Sequence, residues 1–199
     1  MNLALLADRE LAERGERDRL WFEERWYSNA ELHEASCQLA GALSQLGIGP
    51  EDRVVVLAPN CPEVMISYPA IWRIGAVVVP VLFMLEAHEL AYILQNSAAK
   101  AIITTPELLA KVRAAAGDAA LHVIAITEGK SEVAAPVISF ERLIAEGTPQ
   151  REAVQREPND LAVLIYTSGT TGNPKGVMQT HHNLSANAHN TWRTTETKD

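Results

Sequence analysis

One short stretch of the chain concentrates the residue types that bind phosphate. Residues 165–177 have the sequence Ile-Tyr-Thr-Ser-Gly-Thr-Thr-Gly-Asn-Pro-Lys-Gly-Val. Glycine permits a positive φ, so successive N–H groups can line an anion-binding concavity, while hydroxyls donate hydrogen bonds and an ammonium adds charge. We therefore predict a polyphosphate site here. The residues that supply these groups are Thr167, Ser168, Gly169, Thr170, Thr171, Gly172, Lys175 and Gly176.

Two common phosphate motifs do not fit this stretch. The Walker motif needs Gly-Lys followed by Ser or Thr, whereas here Pro174 precedes Lys175 and Gly176 follows it. The dinucleotide motif G-x-G-x-x-G is absent, because Gly169 and Gly172 are separated by two threonines. A flexible linker without a ligand is the alternative. The apolar run before the loop and the Pro-Lys-Gly after it favour a phosphate site.

The elements around this loop predict an α/β fold with a largely parallel sheet. Residues 161–166 are apolar and predict a strand buried on both faces, which would hold the loop on a rigid support. Ser28 and Glu31 predict the start of a helix that ends at Gly47, and Pro62 the start of another that Pro69 should bend. Strand and helix patterns alternate along the chain, as parallel sheets require. The other predicted strands are 53–57, 76–80, 101–104 and 122–126.

Two segments carry weaker patterns. Residues 8–25 alternate in charge, which favours the solvated face of a helix. Residues 127–160 are polar and contain prolines, so we predict a surface connection with a short helix near 140–146. The adjacent His181 and His182 could serve metal or acid–base chemistry, but neighbouring residues point in different directions, so we favour the start of a polar element near Asn183.

Composition limits the class of protein. The chain has 199 residues, of which 47% are hydrophobic and 21% charged, with a net charge of −8. These values are typical of a soluble globular protein and argue against a nucleic-acid partner. The longest apolar stretch, 74–85, is too short for a transmembrane segment, and the N-terminus does not have the pattern of a secretory signal. Cys37 and Cys61 have no metal-ligand spacing, so we expect no metal site of protein ligands and a cytoplasmic location.

The loop resembles the phosphate-binding motif of the adenylate-forming superfamily, which includes acyl-CoA synthetases, luciferases and the adenylation domains of peptide synthetases. The family pattern, [ST]-[ST]-G-[ST]-T-G-x-P-K-G, matches residues 167–176 at every specified position. Pro69 and the apolar run 81–85 depart from the family pattern; neither belongs to the loop, and we expect the second to alter packing near it. Other segments resemble the early part of acyl-CoA synthetases in the expected order, namely 27–32, 49–54, 57–60, 75–80 and 89–94.

This resemblance implies that residues 1–199 form part of the large N-terminal AMP-binding domain, with the strand and loop at 161–180. The mobile C-terminal domain and its catalytic lysine would lie beyond Asp199, so we expect the catalytic residues downstream and the isolated chain to be inactive. Lys175 belongs to the loop and is not that catalytic lysine.

The implied activity is ATP-dependent activation of a carboxylic acid, for which we expect a fatty acid. An acyl-adenylate forms with release of pyrophosphate, and CoA then accepts the acyl group. ATP would be held by Thr167, Ser168, Gly169, Thr170, Thr171, Gly172 and Lys175, and Mg²⁺ mainly by phosphate oxygens and water. An adenylation domain for an aryl or amino acid, a nucleotide-binding module without catalysis, and an unrelated scaffold with a coincidental loop stay open as alternatives. The oligomeric state stays open as well.

Overall fold

The computed structural model describes residues 1–129, 133–167 and 174–196, with side chains up to Thr191. Helices and strands alternate over most of this length, in agreement with the predicted α/β class. The helices are α1 (Leu5–Arg14), α2 (Asn29–Gln45), α3 (Pro62–Arg73), α4 (Ala87–Ser97), α5 (Leu109–Ala116), α6 (Phe140–Glu146) and α7 (His181–Glu196). The strands are β1 (Asp18–Phe22), β2 (Arg25–Ser28), β3 (Arg53–Leu57), β4 (Val77–Pro80), β5 (Ala99–Thr104), β6 (His122–Ala125), β7 (Ile138–Ser139), β8 (Leu161–Thr167) and β9 (Lys175–Thr180).

A seven-stranded sheet organises the described part of the chain, in the order β7-β6-β5-β3-β4-β8-β9. The pairs from β7 across to β8 are parallel, and only the last pair, β8 with β9, is antiparallel. The prediction of a largely parallel sheet is therefore confirmed.

Helices cover both faces of this sheet. Val54 and Val56 point into a core shared with α2, α3 and α6, whereas Val55 and Leu57 point into a second core shared with α4 and α5. Successive side chains of a strand face opposite sides of the sheet. A strand with a core on each side, such as β3, therefore needs an apolar residue at every position. The unbroken apolar run of β3 is the sequence signature of that burial.

The helix starts follow local capping chemistry. Ser28 Oγ accepts a hydrogen bond from the Glu31 backbone N–H at 3.1 Å, and α2 begins where the sequence predicts. Pro62 occupies the first turn of α3, where a missing N–H costs nothing. The helix continues through Pro69 to Arg73 as one element.

The N-terminal prediction was wrong for residues 15–25. Helix α1 ends at Arg14, and β1 and β2 then form an antiparallel hairpin in place of a solvated helix. The side chains of Trp21 and Trp26 face each other across it with ring centroids 5.3 Å apart. Such cross-strand aromatic pairs stabilise a hairpin, and this contact outweighs the helical charge pattern.

A buried ionic cluster joins α1 to the helices behind the sheet. The guanidinium of Arg73 is fully buried and donates hydrogen bonds to the Asp8 carboxylate and to the Arg151 carbonyl. His33 Nε2 lies 2.7 Å from the same carboxylate. Burial acts to raise the pKa of Asp8, but the hydrogen bonds from Arg73 and His33 outweigh it and hold the pKa below its usual value.

The segment between α6 and β8 packs against the helices α2 and α3. A Cβ at Gly41 of α2 would lie 1.8 Å from the Thr148 carbonyl oxygen, so the two backbones are in direct contact. The Val154 N–H donates to the Arg73 carbonyl at 2.8 Å. The predicted short helix is present as α6. Among the described residues, no helix has the length and apolar character needed to cross a membrane.

Candidate functional site

The predicted phosphate loop connects the two strands of the β8–β9 hairpin. Thr167 is the last residue of β8 and pairs with Lys175, the first residue of β9. The two directly opposed residues of an antiparallel pair place their side chains on the same face, so the Thr167 and Lys175 side chains leave the hairpin on one face, and the Thr167 hydroxyl lies 3.5 Å from the Lys175 carbonyl oxygen. Both residues are exposed. The other predicted ligands, Ser168, Gly169, Thr170, Thr171 and Gly172, lie outside the described residues.

The hairpin places this loop at the edge of the sheet where ligands bind in α/β proteins. The loop leaves the carboxyl end of β8, which runs parallel to the neighbouring β4. After β4 the chain crosses back to β5 on the far side of β3, whereas after β8 it turns outward to β9. Adjacent strands whose connections diverge in this way open a crevice at their carboxyl ends. The exposed apolar side chains of Leu82, Phe83 and Met84 follow β4 at the same edge.

The prediction that β8 is buried on both faces was wrong for its outer half. Ala162 and Val163 are buried, but Ile165 is 38% exposed. The parallel ladder to β4 consists of the single pair Val78–Val163, so beyond this point β8 pairs only with β9. The loop is therefore carried by a projecting hairpin.

Gly176 is required for close packing and not for a turn. Its φ lies outside the positive range that favours glycine. A Cβ at this position would lie 2.9 Å from Leu164 Cδ1 and 3.4 Å from Tyr166 Cζ. Gly176 pairs with Tyr166 across the hairpin, and the absence of a side chain lets the tyrosine ring lie over β9.

Tyr166 makes a polar contact that the sequence analysis did not anticipate. Its hydroxyl donates a hydrogen bond of 2.6 Å to Asn96 Oδ1 in the last turn of α4. Its ring packs against the α4 side of the core, and burial raises the pKa of this phenol above its ordinary value. The only sequence signal was the position of Tyr166 directly before the loop.

The paired histidines start a helix, as favoured from the sequence. Helix α7 begins at His181, and the Thr180 and Asn183 side chains each accept a hydrogen bond from the other residue's backbone N–H. His181 is fully buried, and its Nδ1 accepts a hydrogen bond from the Leu3 N–H at 3.2 Å. Burial, reinforced by the Arg156 charge, lowers the pKa of His181 to about 4. A neutral, buried imidazole of this kind has a structural role.

The described residues were also searched for a metal-ligand cluster and for a reactive thiol. They contain no group of three or more His, Cys, Asp or Glu that could hold a metal ion. Cys37 is buried and Cys61 half-buried, and both are free thiols. Burial raises the pKa of Cys61 to about 12, so its nucleophilic thiolate is strongly disfavoured.

Comparison with known proteins defines the family. The model of the family "AMP-binding enzyme" matches residues 7–199, and the chain belongs to this family. It is 32% identical over 170 residues to the 3-hydroxybenzoate–CoA/4-hydroxybenzoate–CoA ligase of Thauera aromatica, an alignment that covers 85% of this chain and 32% of the relative. The chain therefore spans about a third of that relative's length.

Solved structures show the same fold. An anthranilate CoA ligase in complex with anthranoyl-AMP superposes with a TM-score of 0.88 at 28% identity, covering 95% of this chain and 36% of that one. A long-chain-fatty-acid–CoA ligase from Archaeoglobus fulgidus gives a TM-score of 0.82 at 29% identity, with coverages of 95% and 38%. The fold observed here is that of the N-terminal domain of adenylate-forming enzymes.

Proposed function

We propose that this chain supplies the polyphosphate site of an enzyme that activates a carboxylic acid with ATP and transfers the acyl group to CoA. The carboxylate attacks the α-phosphate and pyrophosphate leaves. The CoA thiol then attacks the acyl carbonyl of the adenylate, loses its proton and releases AMP. The observation that carries the proposal is the pairing of Thr167 with Lys175 on one face of the hairpin, at the two ends of a loop with the family's sequence pattern.

Each loop residue has a role that follows from its chemistry. Negative charge accumulates on the departing pyrophosphate, so fixed donors near the β- and γ-phosphates assist both binding and departure. Lys175 neutralises charge on the outer phosphates. Hydroxyl donors and backbone N–H groups surround the phosphate oxygens, the hydroxyls from Thr167, Ser168, Thr170 and Thr171 and the backbone groups at Gly169 and Gly172.

Mg²⁺ and CoA complete the proposed reaction. In the described part of the chain no cluster of acidic or histidine side chains is available for a metal. We therefore assign Mg²⁺ mainly to phosphate oxygens and water, as is usual for this ion at nucleotide sites. The proposal concerns the full-length gene product, in which this chain forms part of the N-terminal AMP-binding domain and the catalytic residues lie beyond it.

Within this proposal the expected substrate is an apolar carboxylic acid, and an amino acid stays the alternative. The reported relatives carry the names of ligases for hydroxybenzoate, anthranilate and long-chain fatty acids. Two of these three acids are aromatic, so an aromatic acid now stands beside the fatty acid expected from the sequence. Both classes share an apolar body and one carboxylate, and a substrate panel separates them.

Trapping the acyl-adenylate intermediate with two different nucleophiles tests the proposal. The full-length gene product is incubated with ATP, Mg²⁺ and one acid from a panel of benzoates, cinnamates, fatty acids and amino acids. Hydroxylamine converts an acyl-adenylate into a hydroxamate, and CoA converts it into a thioester, both of which mass spectrometry identifies. We expect both products with one acid class. ATP binding without either product would support a nucleotide-binding module instead, and no nucleotide binding at all would support an unrelated function.

A further inference from the structure

The projecting half of the β8–β9 hairpin needs an anchor beyond the sheet ladder. From Leu164 to Thr167, β8 pairs only with β9, which is the last strand of the described sheet. A two-stranded hairpin is marginally stable on its own. The phosphate loop extends from this unsupported end, so its position depends on whatever holds the hairpin.

Tyr166 provides such an anchor. Its ring packs against the core formed by α4 and α5, and its hydroxyl donates to Asn96 Oδ1 at 2.6 Å. Asn96 in turn lies at a fixed end of α4, because the Arg53 guanidinium donates to the carbonyls of Ser97 and Ala98, the two residues after it. The hydrogen bond therefore connects the hairpin to a rigid part of the fold.

Gly176 completes the arrangement from the opposite strand. Tyr166 directly precedes Thr167, and Gly176 directly follows Lys175, so the anchored pair lies next to both ends of the loop. The Leu164 and Tyr166 side chains cover the bare face of Gly176. A glycine covered by an aromatic ring across the strands is a known means of fixing register.

We propose that Tyr166, Asn96 and Gly176 are positioning residues that set where the phosphate loop presents Thr167 and Lys175. This inference rests on the proposed function, since it concerns the use of the same loop. Side chains alternate along a strand, so Tyr166 and Gly176 face α4 while Thr167 and Lys175 face away from it. The three residues therefore act on the site through the backbone and do not contact the nucleotide.

The test uses Tyr166→Phe and Asn96→Ala in the full-length gene product. Loss of one hydrogen bond predicts an increase of about 2- to 12-fold in the KM for ATP, with the KM for the acid unchanged. Because both changes remove the same bond, the double variant should behave like either single variant. Asn96→Asp keeps an acceptor oxygen and should restore the wild-type KM. Additive effects, or equal increases in both KM values, would overturn the proposal.

Tyr92→Phe is the matched control. Tyr92 lies on α4 and packs against the same core as Tyr166, so the variant removes a phenol from the same region without breaking the bond to Asn96. We expect wild-type kinetics from it. A KM change for ATP as large as that of Tyr166→Phe would show a general packing effect and contradict the proposal.

Two further readouts separate this inference from the proposed function. If the wild-type protein binds ATP without turnover, the ATP dissociation constant from calorimetry replaces KM, with the same expected ratios. Amide hydrogen exchange needs no activity at all. Tyr166→Phe should increase the exchange rate of amides at the start of β9, next to Lys175, and leave the exchange rate of amides in β3 unchanged. Unaltered exchange in β9 would refute the anchor even if the protein proved to be no ligase.

Discussion

Lys175 brings a full positive charge to the end of the hairpin that carries the loop. It lies at the start of β9, exposed and beside Thr167, the last residue of β8. A flexible ammonium in this place can follow the outer phosphates while the hairpin backbone stays in position. In the proposed function this residue acts by electrostatics and adds no covalent step.

Lys175→Ala should weaken the use of ATP in the full-length gene product. Loss of one charge-assisted hydrogen bond costs about 1.5–3 kcal/mol, which corresponds to a fall of roughly 10- to 150-fold in kcat/KM for ATP. Initial rates of pyrophosphate release at varied ATP give this value. Lys100→Ala is the control, because Lys100 is an exposed lysine near the start of β5 whose ammonium pairs with the Asp52 carboxylate at 2.9 Å. Unchanged kinetics in Lys175→Ala would remove this residue from the site.

His181 makes the stability of the fold sensitive to acid. Its pKa is about 4 in the folded state and 6.5 in the unfolded state, so the unfolded state binds more protons between these values. The free energy of unfolding is therefore unaffected by this group above pH 6.5 and decreases as the pH falls from 6.5 towards 4. At about 1.4 kcal/mol per pH unit the loss reaches about 3 kcal/mol.

Urea denaturation between pH 7.5 and pH 4 measures this effect. His181→Gln removes the titrating group and should flatten the pH dependence of the free energy of unfolding, although it lowers stability at neutral pH. His182→Gln should keep the wild-type pH dependence, because His182 is exposed. Equal pH dependence in wild type and His181→Gln would contradict the assignment.

At the level of elements, the fold attaches the N-terminal helix through a buried charge. Arg73 in α3 has no exposed surface, and its guanidinium pairs with Asp8 of α1. The exposed pair Arg142–Glu146 within α6 offers a direct contrast. A buried ion that loses its partner is costly, whereas a surface pair contributes little.

Asp8→Ala should therefore destabilise the protein by about 3–5 kcal/mol, since it leaves the fully buried Arg73 guanidinium without its carboxylate partner. Arg142→Ala should cost no more than about 0.5 kcal/mol. Urea denaturation of the two variants provides the measurement. Their midpoints can be compared directly if the free energy of unfolding depends on urea concentration with the same slope in both. Similar shifts for both would show that Arg73 is not the structural link described here.

Local sequence patterns predicted individual helices but not the long-range contacts between elements. Helix α2 was predicted from Ser28 and Glu31, and α6 from its local pattern, because capping and periodicity act within a few residues. The Tyr166–Asn96 bond joins residues 70 positions apart, and the Leu3–His181 bond joins residues 178 positions apart. No local pattern encodes such contacts.

In the candidate site too, the sequence predicted the residue types but not the packing around them. The residue types and spacing of 167–176 predicted a phosphate loop, and the structure places Thr167 and Lys175 together. The sequence did not indicate the packing role of Gly176, because a glycine in a strand looks the same in sequence whether it serves a turn or close packing. Only the register with Tyr166 distinguishes the two cases.

At the level of the whole molecule, the sheet supports the candidate phosphate site at the edge formed by the carboxyl ends of its parallel strands. Parallel strands with helices on both faces leave their carboxyl ends free, and the loop-bearing hairpin extends from that edge. Within the proposed function, the exposed Lys175 supplies a local positive charge in a chain whose net charge is −8. The matched family and the superposed ligase structures agree with this arrangement.

Carboxylate-dependent ATP–pyrophosphate exchange in the full-length gene product tests the central claim most directly. The exchange requires reversible formation of an acyl-adenylate and no CoA, so it isolates the step that the phosphate loop serves. We predict that labelled pyrophosphate enters ATP only when an acid of one class, aromatic or fatty, is present. A folded protein that gives no exchange with any acid, or that exchanges equally well without one, would contradict the account.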